Sequence, residues 1–340
     1  MTALAELSAD PHSAYTRLRA EDPVSWLPEI GQWLVTRWHD VLRVLSDPVR
    51  FAYENAEMHE VFRTAYGPGL TAAEVDTITR PIARKAADDL FAAGTADLTT
   101  EYFEQVAAVA GATLLGLGLG CADTLLHWGN TLARDPDADA GEDASVIIDR
   151  LRRRPDDSLV ARLVHADTDP VPLLKNLAVS VLEPGWLAAW TLAALWTEPD
   201  QFTAVRDHRH LLGAAVYEAL RWAGPVGVLT RRTTRAVSLG GKEIPAGGSL
   251  AVSVASANRD ESVFLVPHRF DVHREVRPHL GFGVGPRHCP AYPTVIALAR
   301  TALDELFERM PDLCPAPGWR PAAEGWRLRL PGPVDAVWLS

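Results

Sequence analysis

One cysteine in this sequence has neighbours that suit a metal-bound thiolate. Cys289 ends the run HLGFGVGPRHC (279–289), whose three glycines allow tight turns and a close backbone approach to a flat ligand. A helix is predicted to follow, with Pro290 in its first turn, so its N–H groups and dipole would stabilise the thiolate. Arg287 can pair with an acidic group of the ligand. A soft thiolate on such a loop is typical of an iron centre.

The elements that must position this loop are mainly helices. Apolar residues recur at helical spacing in the alanine-rich segment 72–92. Strand signals are confined to 33–36 and to 228–254, where short β-like runs alternate with glycine and proline turns. The sequence therefore predicts a mainly α fold with small β-sheets, as a single domain over residues 1–340. Further helices are predicted at 99–117, 173–196, 211–222 and 289–310, and a surface loop at 134–145.

Composition argues against several other classes of protein. The 340 residues carry a formal net charge of -11, so binding to nucleic acid or to an anionic membrane is not expected. The N-terminus lacks a basic start before an apolar run, and the most apolar segment, 173–196, is interrupted by charged residues and a proline. Neither a signal peptide nor a membrane span is expected. The small number of cysteines indicates a reducing cytoplasm, and Cys121 and Cys314 are interpreted as small buried hydrophobes.

The cysteine run resembles the heme loop of the cytochrome P450 superfamily. That loop reads Phe, two residues, Gly, one residue, Arg or His, one residue, Cys, one residue, Gly. Here Phe282, Gly285, Arg287 and Cys289 fall in register, whereas Ala291 replaces the final glycine and would crowd the heme edge by one methyl group. The resemblance covers nearly the whole chain. It implies heme b as the cofactor and Cys289 as its axial iron ligand, an arrangement that favours O–O cleavage.

The resemblance also implies which basic residues bind the heme propionates. His59 and Arg63 match the His-x-x-x-Arg pair of the family's C helix, and at four residues apart they face the same way. Arg231 and His279 match two further propionate-binding positions, in addition to the arginine of the heme loop. Arg232 is a rival to Arg231, because a shift of one residue in the alignment would exchange them.

A charge network is implied on the cysteine side of the heme. Glu218 and Arg221, at i and i+3 on a predicted helix, resemble the family's Glu-x-x-Arg motif. Arg269, in the run PHRF (267–270), matches the arginine that completes the triad. The implied role is structural, because the loss of one partner strands the others.

The helix implied on the opposite side of the heme departs from the family pattern. Most members carry an acid followed by a threonine for proton delivery, and the alignment puts Leu182 and Glu183 there. The run from Glu183 to Gly185 is similar to bacterial cytochromes P450 that O-demethylate methoxy-aromatic compounds. Pro184 should kink the helix. Glu183 would then donate protons, with a pKa raised by burial, or it caps the broken helix or pairs with a base. Gly185 and Trp186 are assigned to the substrate pocket.

Two regions are shorter than in the family. Few residues separate the helix ending near Ser46 from His59, where the family has a B helix and a long loop, and 117–175 leaves little room for the F and G helices. With these B–C and F–G regions cut back, the resemblance implies an open distal cleft that excludes water poorly. Three explanations stay open: a large peptide or carrier-bound substrate covers the site, a partner or second copy of the chain closes it, or oxygen insertion has been lost.

The sequence thus predicts a cytochrome P450-type oxidoreductase of the monooxygenase type, acting on an aromatic or bulky organic substrate. Ferredoxin and ferredoxin reductase would supply electrons, with Arg63, Arg287 and Arg300 as a basic docking patch. One alternative is a heme-thiolate enzyme outside the normal O2 cycle, driven by peroxide or catalysing dehydration or group transfer, which the missing acid–threonine pair supports. The other alternative is a non-catalytic heme protein that recruits a partner.

Overall fold

The chain folds into two compact units. The computed structural model describes residues 3–53, 56–67, 69–139 and 170–339, together with Ile148 and Ala161. Unit 1 contains Met1–Ala56, Glu218–Cys289 and Ala323–Leu330, and unit 2 contains Glu57–Tyr217, Pro290–Ala322 and Pro331–Ser340. Each unit combines segments that are distant in sequence, so neither is the product of one continuous stretch. The single domain over residues 1–340 stays a prediction.

Helices supply most of the regular structure in the described residues, and the strands are short. The helices are α1 (Ala3–Ala9), α2 (Pro11–Glu21), α3 (Trp38–Ser46), α4 (Ala56–Tyr66), α5 (Ala72–Phe91), α6 (Glu104–Leu115), α7 (Ala122–Arg134), α8 (Pro170–Trp196), α9 (Pro199–Asp207), α10 (Leu212–Ala223), α11 (Val254–Ala257) and α12 (Tyr292–Arg309). The strands are β1 (Val24–Leu27), β2 (Gln32–Val35), β3 (Phe51–Ala52), β4 (Thr95–Asp97), β5 (Val228–Thr233), β6 (Val237–Leu239), β7 (Lys242–Ile244), β8 (Ser249–Ser253), β9 (Cys314–Pro315), β10 (Ala323–Glu324), β11 (Leu330–Pro331) and β12 (Asp335–Val337).

Unit 1 is organised around a five-stranded sheet with the order β1-β2-β8-β5-β3. Strands β2 and β8 pair in parallel, with Leu34 opposite Ala251, and the other neighbours pair antiparallel. Helix α3 packs its buried residues Val41, Val44 and Leu45 into the same core as the apolar side chains of this sheet. Their i, i+3, i+4 spacing gives the helix one apolar face, which explains why it covers the sheet.

Unit 2 is a helical assembly built around α8. This helix is apolar along most of its length, and it packs against α6, α7 and α12. It runs continuously through Pro184. Its length and composition would allow it to cross a membrane, but 83% of its most apolar window is buried inside the protein. A core helix accounts for that composition, because from residue 181 to 196 nearly all of its side chains are buried.

Several predicted elements are confirmed within a few residues, among them α5, α8, α10 and α12. The helix predicted from residue 99 begins with a π-helical turn, Thr99–Phe103, before α6. The confinement of strands to two regions was wrong, because β1, β4 and the C-terminal strands lie outside them. Strands of two to four residues are too short to show an alternating pattern.

The predicted shortening falls partly on described residues. Helix α3 ends at Ser46 and α4 begins at Ala56, with β3 as the regular element between them, in agreement with a short B–C region. Of the predicted F–G region 117–175, the structure describes 117–139, which includes α7, and 170–175, whereas 140–169 is described at Ile148 and Ala161 alone. The first half of the surface loop predicted at 134–145 leaves the end of α7 without regular structure, and its second half, 140–145, lies outside the described residues. Of the two remaining cysteines, Cys121 is buried as predicted, but Cys314 is exposed on β9 at the surface of unit 2.

Candidate functional site

The loop that carries Cys289 is held by its own backbone. Gly283 (φ 68°) and Gly285 (φ 73°) adopt the left-handed conformation that side chains disfavour. A 3-10 turn, Gly285–Arg287, follows. The Cys289 N–H then donates to the Phe282 carbonyl at 3.0 Å, which closes the loop. Cys289 and Phe282 are both half-buried, so the loop presents the thiol and an aromatic ring without sealing either from a ligand.

The helix after the cysteine begins later than predicted. Ala291 still has non-helical backbone (φ -87°, ψ 7°) and α12 starts at Tyr292, three residues after Cys289. Pro293, rather than Pro290, therefore occupies its first turn, where a missing N–H costs nothing. The prediction that Pro290 opens the helix was wrong because the chain needs two more residues to turn.

A buried arginine in unit 1 tests whether an acidic cofactor fits. Arg231 is 4% exposed, its Nη1 donates to the Thr230 carbonyl at 2.7 Å, and its guanidinium carbon lies 5.1 Å from the centre of the Tyr53 ring. Burial lowers its pKa, Tyr53 partly offsets this effect, and the like charge of Arg287 lowers the pKa further. No ion pair joins Arg231 to a carboxylate within the described ranges. A buried cation without a counter-ion is costly, so an anionic group such as a heme propionate fits here.

The same strand separates the two candidate arginines. Along β5, Arg231 is buried whereas Arg232 is exposed, because successive side chains of a strand point to opposite faces. Arg232 donates from Nη1 to the Gly247 carbonyl at 3.0 Å. The placement favours Arg231 over Arg232 as the residue for an anionic ligand.

Two further residues of the cysteine run offer donors. The Gly281 N–H donates to His279 Nδ1 at 3.1 Å, so this nitrogen is an acceptor and the ring hydrogen lies on Nε2. His279 Nε2 is therefore a donor, as a propionate requires. Arg287, which is half-buried, donates from Nη1 to the Ala56 carbonyl at 3.1 Å. Unit 1 thus carries three of the five residues that the resemblance implied for the propionates, Arg231, His279 and Arg287, and their role toward a heme stays a prediction.

The two residues of the predicted pair on α4 in unit 2 differ in their exposure. His59 is half-buried, whereas Arg63 is exposed and forms an ion pair with Glu60. The two residues are one turn apart on the helix, but the arginine is turned toward a carboxylate on the solvent side. Arg300, assigned to the same basic patch, is likewise paired with Asp76 at 3.3 Å. Two of the three patch arginines are thus partly neutralised.

The charge network around Glu218 differs from the predicted triad in one member. Arg221 binds the Glu218 carboxylate through two hydrogen bonds of 2.8 and 2.7 Å. The second guanidinium on this carboxylate belongs to Arg274, whose Nε donates at 2.9 Å. Arg269 is exposed and contributes its backbone carbonyl, which accepts from Arg221 at 3.2 Å and from Arg274 at 2.8 Å. The assignment of the Arg269 side chain was wrong.

Glu183 on α8 is a carboxylic acid in an apolar setting. Its side chain has intermediate exposure, and burial raises its pKa from 4.5 to about 7. No cation contributes to this rise in pKa. The alternative in which Glu183 pairs with a base therefore finds no support in the described residues. A carboxyl group with such a pKa can hold and release a proton near neutral pH.

The elevated pKa of Glu183 makes stability depend on pH. Below pH 4.5 the group is protonated in both the folded and the unfolded chain. Between pH 4.5 and about 7 the unfolded chain ionises first, so the wild type loses stability as the pH rises. We expect Glu183→Gln to match the wild type at pH 4.5 and to exceed it by about 2–3 kcal/mol at pH 8, in urea unfolding. The exposed Glu308→Gln is the control; an equal gain there contradicts the assignment.

The residues that follow Glu183 face the protein core. Trp186 is 0% exposed, and its Nε1–H donates to Glu104 Oε1 at 2.8 Å. A Cβ added to Gly185 would lie 2.5 Å from the Phe103 carbonyl oxygen. Both residues are thus closed in by protein, and the substrate-pocket assignment of Gly185 and Trp186 finds no ligand-facing surface. Glu104 was missed, although a single glutamate opening an apolar helix was a signal for it.

Comparisons with known proteins identify relatives along nearly the whole chain. A family model described as Cytochrome P450 matches residues 199–290. Mycinamicin IV hydroxylase/epoxidase from Micromonospora griseorubida is 31% identical, over 95% of this chain and 94% of that protein. That alignment spans 378 positions against 340 residues here, so the relative contains segments that this chain lacks. Cytochrome P450 monooxygenase PikC from Streptomyces venezuelae is 31% identical, over 91% of this chain and 86% of that protein.

Solved structures have the same fold. The hydroxylase HmtN has a TM-score of 0.85 at 23% identity, covering 100% of both chains. Cytochrome P450 TbtJ1 has a TM-score of 0.79 at 24% identity, covering 97% of this chain and 98% of that one. These likenesses establish the fold, and the relatives at 31% identity establish the family, whose members bind heme through a cysteine thiolate. The glycine-rich cysteine loop and the buried Arg231, which suits an anionic ligand, agree with this. The chain belongs to the cytochrome P450 family of heme-thiolate oxidoreductases.

Proposed function

We propose that the chain is a monooxygenase in which Cys289 is the axial ligand of heme b. The observation that carries the assignment of the site is the buried Arg231, whose charge has no carboxylate partner in the described ranges. The heme propionates would be held by Arg231, His279, Arg287 and His59. Arg63 could join them once its ion pair with Glu60 is broken. When bound, the heme supplies oxygen activation, and the thiolate increases electron density at the iron.

We further propose that Glu183 supplies protons to the reaction. The acid–threonine pair usual in the family is replaced here by Leu182 and Glu183. A carboxyl group with a pKa of about 7 is populated in both protonation states at neutral pH, so it can give up a proton and regain it. Among the described residues no cation contributes to this pKa, so the proton stays bound until it is needed, which is what a donor requires.

Replacing this acid tests the proposal. Glu183→Gln keeps the shape of the side chain but cannot donate a carboxyl proton, so we expect product formed per NADPH consumed to fall about 100-fold. NADPH oxidation should continue, with oxygen reduced wastefully. The exposed Glu308→Gln is the matched control and should keep the wild-type product yield. Unchanged product yield in Glu183→Gln would mean that the proton comes from elsewhere.

We propose a bulky organic substrate, with a peptide or a carrier-bound group as the first class to test. The short connection between α3 and α4 supports this, as it leaves little chain to cover a small ligand. Named relatives include a cyclomarin C epoxidase and a 6-deoxyerythronolide B hydroxylase, and one structural neighbour was solved with an acyl-ligated carrier protein. Methoxy-aromatic acids are the alternative substrate class, which the similarity of the run 183–185 to O-demethylating cytochromes P450 supports. A heme spectral titration with a carrier-bound acyl group, the free acid and a methoxybenzoate separates the classes.

The missing acid–threonine pair also favours a second candidate, a heme-thiolate enzyme driven by peroxide or catalysing dehydration or group transfer. Turnover with peroxide, but not with O2 and reductant, would support that candidate against the first. Heme binding without any substrate-induced spectral change would instead point to a non-catalytic partner protein. Each result identifies one function, because the three differ in what they require besides heme.

The electron donors proposed are ferredoxin and its reductase. Of the basic patch, Arg63 and Arg300 are paired with Glu60 and Asp76, so docking would have to compete with these exposed ion pairs. Because Arg287 is half-buried, it adds little accessible charge. A cytoplasmic location and closure of the distal face by a partner or a second copy also belong to the proposal. No nucleic-acid or membrane partner is proposed, given the net charge of -11.

A further inference from the structure

A buried carboxylate outside the predicted site joins three helices of unit 2. Glu104 is 5% exposed and opens α6, which is otherwise largely apolar. Its Oε1 accepts from Trp186 of α8 and its Oε2 from Asn130 of α7, both at 2.8 Å. Burial raises the pKa of Glu104, against the lowering effects of these bonds and of Arg134. Each carboxylate oxygen therefore anchors a different helix, at the cost of burying an acid.

The geometry of Asn130 is fixed from the other side. Arg134 Nη1 donates to Asn130 Oδ1 at 3.0 Å, which turns the Asn130 amide nitrogen toward Glu104. The network thus runs from an exposed arginine on α7 to a fully buried indole on α8. Because every member has a defined donor or acceptor role, the indole is held in one orientation.

The anchored indole lies one helical turn beyond Glu183. Between them, Pro184 has no N–H and removes a hydrogen bond from this turn of α8. Gly185 rests directly on the Phe103 carbonyl, at a distance that no side chain would permit. With one intrahelical bond missing, the turn relies more on its tertiary contacts, and those of Gly185 and Trp186 with residues 103 and 104 are the ones nearest to Pro184. The π-helical turn Thr99–Phe103 lies directly before these contacts, and such turns are frequent at functional sites.

We propose that Glu104 is a positioning residue for Glu183: by holding the indole of Trp186, it fixes the rotation of the α8 turn that carries the Glu183 carboxyl group. The proposal rests on the proton-donating role proposed for Glu183. Glu104 touches neither substrate nor cofactor in this scheme. Its effect is transmitted through one hydrogen bond and one turn of helix.

The test measures the protonation of Glu183 directly. The carbonyl stretching band of the protonated acid is titrated by infrared spectroscopy and assigned by its loss in Glu183→Gln. In Trp186→Phe, which removes the donor, and in Glu104→Leu, which removes the acceptor, we expect the proton affinity of Glu183 to fall about tenfold, because water reaches the loosened turn. The double variant should show no larger change than either single one, since both remove the same contact.

The control separates positioning from general loss of stability. Leu192→Ala removes a fully buried side chain elsewhere on α8 and should leave the Glu183 titration unchanged. A titration that stays at its wild-type midpoint in Trp186→Phe, or shifts equally in Leu192→Ala, overturns the proposal. If Glu104→Leu fails to fold, Trp186→Phe, which keeps an aromatic ring in the buried position, decides alone. Because the readout is independent of turnover, full product yield in Glu183→Gln would refute the donor role without affecting this result.

Discussion

Cys289→Ala is expected to abolish the red-shifted absorption band that marks thiolate ligation in the reduced, carbon monoxide-bound protein. Alanine has no sulfur to bind iron, and the nearest other members of the loop, His288 and His279, carry nitrogen ligands that would give a different spectrum. Product formation should fall to background, because the electron density supplied by the thiolate is lost. Difference spectra after dithionite and carbon monoxide measure the effect.

The chain offers two matched controls for this substitution. Cys121 is buried inside unit 2. Cys314 is exposed, with its Sγ 3.7 Å from the Val337 carbonyl oxygen. Cys121→Ala and Cys314→Ala should both keep the thiolate band. Retention of the band in Cys289→Ala, together with its loss in either control, would reassign the ligand.

Glu218→Ala should be among the most destabilising substitutions in unit 1. The carboxylate is 5% exposed and neutralises Arg221, which is 2% exposed, as well as the guanidinium of Arg274. Removing it strands a buried positive charge, so we expect a loss of about 3–5 kcal/mol in the free energy of unfolding. Urea unfolding of the heme-loaded protein measures this loss, provided that the dependence of the unfolding free energy on urea concentration is the same in variant and wild type.

Two arginines provide the matched comparison that decides the third member of this network. Arg274→Ala removes a charged hydrogen bond to Glu218 and should cost about 2 kcal/mol. Arg269→Ala keeps the backbone carbonyl that accepts from Arg221 and Arg274, so it should cost less than about 0.5 kcal/mol. The reverse order of the two costs would restore the triad predicted from sequence.

The features that were predicted well from the sequence are those that depend on residues close to one another along the chain. The loop of Cys289 and the long helices α5 and α8 depend on local spacing, which a linear reading captures. The buried position of Arg231 also follows from the alternation along β5, once the register of the strand is known. The sequence left Arg231 and Arg232 as rivals because a one-residue slip exchanges the two faces of a strand.

What sequence could not predict depends on contacts between distant segments. Glu104 and Trp186 are 82 residues apart, and nothing local indicates that the indole faces α6 rather than a ligand. In the same way, sequence could not show that Arg274, rather than Arg269, binds Glu218. The loop folds back over five residues, so that the Arg274 guanidinium donates to the Arg269 carbonyl. The true start of α12 was missed because one residue, Ala291, keeps a non-helical backbone.

The charge of Arg231, which has no carboxylate partner in the described part of the chain, has a consequence for how this protein is produced in a cell. A desolvated guanidinium lowers the stability of the folded chain until an anion neutralises it. Since an acidic prosthetic group binds the folded chain and not the unfolded one, its binding energy adds to the folding free energy. We therefore expect the steady-state amount of the protein to follow the supply of heme, with unloaded chains removed by proteolysis. Cofactor acquisition would then be the last step of folding and its quality control.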